Sequence, residues 1–191
     1  MKQVSKRVGL ILIGDELLSG QRQDKHMAHV ITLLKQRGMT LAWVRIVADE
    51  RDMLLQTFHE TQQTEEIVFS FGGIGATPDD LTRQCAAQAF GVRLYRHPQA
   101  VALIEAQFGE SAYPQRIRMA ELPDTCTLIP NNINRVPGFK LANHHFVPGF
   151  PNMAWPMIEW VLDTHYRHLQ NTMPDIEQRW ELCNVLESDL I

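Results

Sequence analysis

The sequence predicts a doubly wound α/β domain, a mostly parallel sheet with helices on both faces. Three observations carry this. Apolar runs and helical patterns alternate through the first ninety residues, as in parallel sheets linked by helices. The first run, Val8-Gly9-Leu10-Ile11-Leu12-Ile13, is continuously apolar, as expected of a strand buried on both faces. The third run ends in a glycine-rich turn that leads into a helical pattern.

Taken in order, Val8 to Ile13 is the first strand. Asp24 is placed to cap a helix with Met27, Val30, Ile31 and Leu34 at helical spacing, ended by Gly38. Leu41 to Val47 reads as a second strand, followed by Asp49 and a helix carrying Leu54, Leu55 and Phe58. Glu66 to Phe71 is the third strand and Pro78 to Phe90 the third helix. The second half is less regular. Val92 to Tyr95 reads as a short strand, Pro98 to Phe108 as a helix, and Ile117 to Leu122 as a short helix. Leu128-Ile129 leads into a polar turn, Asn131 to Asn134. Phe139 to Val147 reads as a hairpin or sheet strand, closed by Pro148-Gly149-Phe150-Pro151, and Met153 to Tyr166 as a last helix. One domain is expected over 1–169, with a linker and tail over 170–191 that could open a further segment.

Composition excludes several classes. The 191 residues are 45% apolar, enough for a sizeable core, and carry a net charge of −4 with no Lys/Arg block, which argues against nucleic-acid binding. Cys85, Cys126 and Cys183 are odd in number and widely spaced, so reduced thiols in a cytoplasmic protein are expected. The basic start and the short apolar run after it do not make a signal peptide, and no run reaches membrane-spanning length.

The chemistry concentrates in Ser70-Phe71-Gly72-Gly73-Ile74-Gly75-Ala76-Thr77-Pro78-Asp79-Asp80-Leu81-Thr82. Three glycines let backbone approach a ligand closely, and a helix N-terminus behind them suits phosphate. The spacing fits neither a Walker loop nor a Rossmann fingerprint. Asp79 and Asp80 would repel phosphate alone, which points to a bridging divalent cation, most simply Mg²⁺. Asp15 and Glu16 follow the first strand and Asp49 the second. On a parallel sheet such strand ends share one edge, where ligands bind. The expectation is therefore a metal-bound phosphate ligand held by convergent carboxylates. Thr77 and Thr82 either bond that ligand or cap turns. Cys85, near a helix start, is expected to pack, its thiol somewhat acidified. His144 and His145, adjacent on a strand, point to opposite faces and are not expected to share a metal.

Together these stretches resemble the N-terminal domain of the competence/damage-inducible protein A (CinA) family, within the molybdopterin-binding MogA/MoaB/MoeA-like superfamily. Gly14 to Gly20 resembles its GDELLxG, and Gly72 to Thr82 its GGLGPTxDDxT. Asn131 to Gly138 resembles NxxGxAPG, and Pro148-Gly149-Phe150-Pro151 resembles PGVP. The resemblance implies a molybdopterin-binding-like fold and a homo-oligomer. It implies a pocket for a nucleotide or pterin, molybdopterin included, lined by Gly72, Gly73, Gly75, Ala76, Thr77, Thr82, Gly138, Pro148 and Gly149. It implies catalytic roles for Asp49 and Asp80 and a cation, Mg²⁺ or another such as Co²⁺, held by Asp15, Glu16, Asp79 and Asp80. The implied activity is a metal-dependent pyrophosphatase on ADP-ribose-like dinucleotides. The alternatives are a binding module without turnover and a molybdopterin adenylyltransferase of molybdenum cofactor biosynthesis. Such proteins usually carry a C-terminal deamidase domain, which a chain of this length is not expected to contain. Four departures stand out. Ala76 replaces the loop proline, Asn134 fills a glycine slot where a left-handed turn is expected, Val136 replaces an alanine and is expected to crowd the ligand, and Met153 fills the glutamate slot after PGVP.

Overall fold

The computed structural model describes residues 7–170. The expected linker and tail, apart from Gln170, lie outside the described residues, as does Cys183. A six-stranded sheet forms the centre. Its strands are β1 (Val8–Ile13), β2 (Leu41–Val47), β3 (Ile67–Phe71), β6 (Thr127–Ile129), β7 (Gly138–Leu141) and β8 (His144–Val147). Across the sheet they lie in the order β2-β1-β3-β8-β7-β6. β1, β2, β3 and β8 run parallel; β6 and β7 are antiparallel additions at one edge. The chain turns back between β7 and β8 through Ala142, whose φ is +52°. The region Phe139 to Val147 is thus a hairpin inside the sheet. A second ribbon pairs β4 (Leu94–Arg96) with β5 (Glu121–Pro123).

Alternation along β1 explains the layering, because successive side chains face opposite sides of a strand. Ile11 and Ile13 join one core with Leu54 and Phe58 of α3 (Arg51–Thr61) and Cys85 and Ala86 of α4 (Thr82–Ala89). Ile104 of α5 (Pro98–Phe108) and Leu122 of β5 extend that core. Val8, Leu10 and Leu12 join the other core, with Val30 and Leu34 of α2 (His26–Lys35) and Ile158 and Val161 of α6 (Pro151–His165). A short helix α1 (Asp15–Leu18) follows β1 directly.

Several local expectations change. Asp24 does cap α2: its carboxylate accepts from the His26 amide at 2.8 Å and the Met27 amide at 3.0 Å. The buried stripe of α2, however, is His26, Val30, Leu33 and Leu34, while Met27 and Ile31 are exposed. The stripe is rotated because α2 packs on α6 as well as on the sheet. The helix after the glycine turn begins at Thr82 rather than Pro78, since Pro78 and Asp79 belong to a turn closed by the Asp80 amide donating to Thr77 O at 3.1 Å. The segment Ile117 to Leu122 is not one helix. A 3₁₀ turn, Arg116–Ala120, runs into β5.

His144 and His145 face opposite layers, as their adjacency requires. His144 packs edge-on against Phe58 and Phe90; His145 packs against Phe69 and Tyr166. Both rings are fully buried, and burial pushes each imidazole pKa down to about 3. Hydrogen bonds at both ring nitrogens hold each imidazole in place. His145 Nδ1–H donates to Val68 O at 3.2 Å, and Nε2 accepts from Tyr166 Oη at 3.2 Å. Asn143 donates both amide bonds to Thr64 O and Glu66 O, so its oxygen accepts from His144 Nδ1–H at 3.0 Å. Thr61 Oγ1, whose proton goes to Thr57 O at 2.8 Å, stands 2.8 Å from His144 Nε2.

Candidate functional site

The carboxyl ends of β1, β2, β3 and β8 meet at a cleft of about 460 Å³. One wall is the glycine loop, Gly72 to Thr77; the other is the turn Pro148-Gly149-Phe150. Asp49, Glu16, Asp79 and Asp80 reach it from three strand ends, and Met119, Asn134, Val136 and Met153 complete its lining.

The loop is built around Asp80. Its carboxylate accepts from the Gly75 amide at 2.9 Å, from the Thr77 amide at 2.8 Å and from the Thr77 hydroxyl. Gly72 and Gly73 take φ of +100° and +66°, the left-handed region that favours glycine. Space is a second constraint there. A Cβ on Gly73 would lie 2.1 Å from Thr82 Oγ1, and one on Gly75 2.5 Å from Asp80 Oδ2. Thr82 itself is fully buried; its hydroxyl donates to Gly72 O at 3.1 Å and its amide to Gly73 O at 3.0 Å. The amides of Gly73, Ile74 and Ala76 are left without a protein acceptor among the described residues. The amide of Thr82, the first of α4, is spent on Gly73 O.

Asp49 is the electrostatic centre. Partial burial, reinforced by the nearby charges of Asp15, Glu16 and Asp79, pushes its carboxyl up to about 6, against the opposing pull of the Asp15 backbone. Its own amide donates to Asp15 Oδ1 at 3.1 Å. Glu16 is paired with Arg22 at 3.5 Å. The acids therefore sense one another without forming a cluster. Among the described residues no three His, Cys, Asp or Glu side chains stand close enough to hold a metal ion. The expected convergence of Asp15, Glu16, Asp79 and Asp80 on one cation is thus not preassembled. Asp80 is engaged by the loop, Glu16 by Arg22, and Asp15 by the Asp49 amide.

Other expected site residues divide clearly. Gly72, Gly73, Gly75, Ala76, Thr77, Pro148 and Gly149 line the cleft. Thr82 does not; it is a loop support. Gly138 does not either. It sits buried in β7 opposite Ile129, and a Cβ there would lie 2.4 Å from Phe146 O. Close strand packing explains this glycine. Asn134 holds its turn by accepting from the Asn131 amide group at 2.8 Å and the Val136 amide at 3.1 Å. The left-handed residue is its neighbour Arg135, at φ +58°. Cys85 packs as expected, but burial raises its thiol pKa rather than lowering it.

Four residues carried no signal in the sequence. Arg22 reaches the cleft from the loop before α2. His26 Nε2–H donates to Gly149 O at 3.1 Å and so anchors the opposite wall. Arg83 is 3% exposed beneath the glycine loop and donates to Ile74 O at 3.2 Å. Burial lowers its guanidinium to about 10, partly offset by Asp80 and Glu121. Met119 arrives from the 3₁₀ turn before β5. None belongs to a glycine or acidic motif, so only tertiary structure reveals them.

A glycine loop at the carboxyl edge of a doubly wound sheet, facing a proline–glycine turn across a cleft, defines an α/β domain of the molybdopterin-binding type. The chain belongs to the family described as "Probable molybdopterin binding domain", which it matches over residues 9–168. It is 34% identical over 181 residues to a CinA-like protein of Geobacter sp. (strain M21), covering 91% of this chain and 43% of that one. The chain thus spans less than half the length of the CinA-like relatives it matches. A crystal structure of the protein CinA from Thermoplasma acidophilum, described as of unknown function, superposes with a TM-score of 0.75 at 26% identity, over 83% of this chain and 98% of that one. The molybdopterin biosynthesis enzyme MoaB of Thermus thermophilus shares the fold, with a TM-score of 0.53 at 21% identity over 86% and 94% of the two chains. No helix among the described residues is long and apolar enough to cross a membrane.

Proposed function

We propose that this domain binds a phosphate-bearing nucleotide or pterin in the cleft and, with a divalent cation, hydrolyses the pyrophosphate of ADP-ribose-like dinucleotides. The observation that carries the reading is Asp49. Its carboxyl, which partial burial pushes up to about 6, lines the same cleft as a loop with unengaged amides. A general base works best when its pKa lies near the operating pH. The loop amides would hold the phosphate oxygens while Asp49 takes the proton of the attacking water. The new bond forms between water oxygen and phosphorus, and the bridging P–O bond breaks. The leaving phosphate carries away the bonding pair.

The donor chemistry fits a cation that arrives with its ligand. Mg²⁺ typically keeps several waters and takes only one or two carboxylates besides substrate phosphates. Asp15, Glu16 and Asp79, the neighbours whose charge raises Asp49, would hold it. When bound it would neutralise charge on the phosphoryl oxygens.

The test is AMP release from ADP-ribose, FAD, NAD and ATP, with Mg²⁺ or Co²⁺. Metal-dependent release is expected for at least one compound. Asp49→Asn is expected to lower kcat roughly 10²- to 10⁴-fold. A second reading, binding without turnover, draws on Met153, a thioether at the cleft where the resembling motif has a carboxylate. No release from any compound, with a ligand still raising the melting temperature, would select it.

A further inference from the structure

We propose that Phe150 and Arg22 form a stacking platform for a planar heterocycle, so that the cleft selects phosphate ligands bearing a purine- or pterin-like ring over pyrophosphate alone. The inference rests on the reading of the cleft given above. Phe150 is 56% exposed. Among the described residues two other aromatic side chains are exposed, Tyr95 and Tyr113, and neither lines the cleft. Phe150 does, on the wall opposite the glycine loop.

Its position is fixed from the backbone. Phe150 caps α6, and its carbonyl accepts from the Met153 amide at 3.0 Å and the Ala154 amide at 2.9 Å. His26 ties the preceding Gly149 carbonyl to α2. The ring is therefore held at the cleft rim without being packed into a core. The Arg22 guanidinium carbon stands 5.8 Å from the ring centroid, and the guanidinium pairs with Glu16 at 3.5 Å. Guanidinium planes and aromatic rings are both stacking surfaces, and a cation over a ring is attracted to its π face. Met119 and Met153, also at the cleft, are polarizable and conformationally adaptable, suited to the edges of a flat ring. The volume, about 460 Å³, is that of a small-molecule site. A phosphate on the loop amides thus leaves its attached group against an exposed aromatic ring.

The experiment is calorimetric titration with two probes, ADP-ribose and inorganic pyrophosphate, in Mg²⁺, on an Asp49→Asn background that suppresses turnover, comparing the wild-type Phe150 with Phe150→Leu and Phe150→Trp. Circular dichroism would confirm that each variant is folded. Phe150→Leu keeps apolar bulk but removes the π face. It is expected to weaken ADP-ribose binding about 5- to 100-fold, the usual scale of base–aromatic stacking. Phe150→Trp is expected to stay within about threefold of wild type, and pyrophosphate affinity to be unchanged in both. Wild-type-like ADP-ribose affinity in Phe150→Leu overturns the platform while leaving the phosphate site standing. Equal losses on both probes also overturn it, since the ring would then be shaping the loop. If the protein with Phe150 intact binds neither probe, the reading of the cleft itself fails and the platform with it.

Discussion

Gly73→Ala is expected to abolish ligand binding while the sheet still folds. Two independent penalties coincide there. The residue sits at φ +66°, where an L side chain costs roughly 1–2 kcal/mol. The new Cβ would also lie 2.1 Å from Thr82 Oγ1, on a side chain that is fully buried and hydrogen-bonded to Gly72 O. Thr82 cannot yield without releasing the loop, so the loop must move. The combined destabilisation, about 3 kcal/mol, corresponds to a melting temperature lower by roughly 6–12 °C for a chain of this size. Displacement of the loop amides should cost ligand affinity at least about 100-fold. The measurement is ligand-induced stabilisation of the melting temperature in the variant. Adding Thr82→Ala removes the clashing oxygen but not the strained φ. The double variant should recover part of the loss, a non-additivity expected of residues in contact. Wild-type affinity in Gly73→Ala would show that the loop is not the ligand's anchor.

Stability should collapse on mild acidification, driven by two histidines far from the cleft. His144 and His145 are buried neutral, with imidazoles pushed down to about 3 from an ordinary 6.5. The unfolded chain binds both protons below pH 6.5 and the folded chain does not. The stability they protect is present above pH 6.5 and is lost as pH falls towards 3. With both rings contributing, the slope approaches about 3 kcal/mol per pH unit. Accumulated from pH 6.5 to 4.5, such a loss reaches the lower end of the whole stability of a typical domain, roughly 5–15 kcal/mol. Asp49 acts in the opposite sense. Its raised pKa means the folded state holds a proton longer than the unfolded chain, so its penalty appears as pH rises from about 4 to about 6. Asp49 is only partly buried, and after discounting for screening that penalty is about 1 kcal/mol, too small to cancel the histidines. Urea unfolding at pH 7, 5.5 and 4.5 measures the slope. His144→Gln keeps a polar side chain in place but cannot titrate, and should lower it. An unchanged slope would assign acid sensitivity to other groups.

The sheet and the two cleft walls were legible in the sequence, because buried parallel strands are continuous apolar runs and close backbone approach demands glycine. Less legible was which polar residues serve the ligand and which serve the fold. Pro78-Asp79-Asp80 has the composition of a helix start, yet Asp80 folds back onto loop amides and delays α4 to Thr82. Thr82 and Gly138 have motif positions but structural roles, which only burial discloses. The stripe on α2 was misplaced because a helix lying between a sheet and another helix turns its face to both. Arg22, His26 and Arg83 reach the site from segments whose local pattern says nothing of it.

The two walls of the cleft share a foundation. The Gly72 amide donates to Val147 O at 3.0 Å, and a Cβ built on Gly149 would rest 3.5 Å from Gly72 Cα. Glycine loop and proline–glycine turn are thus continuations of adjacent, hydrogen-bonded strands, and their separation at the floor is set by the spacing of strands in a sheet. No hinge lies between them. The floor acts as a fixed-width gauge, like the jaws of a calliper locked in place. On the proposed reading, discrimination among ligands would fall to the side chains at the upper rim, and variants there should change which compound is accepted without altering how a phosphate is seated.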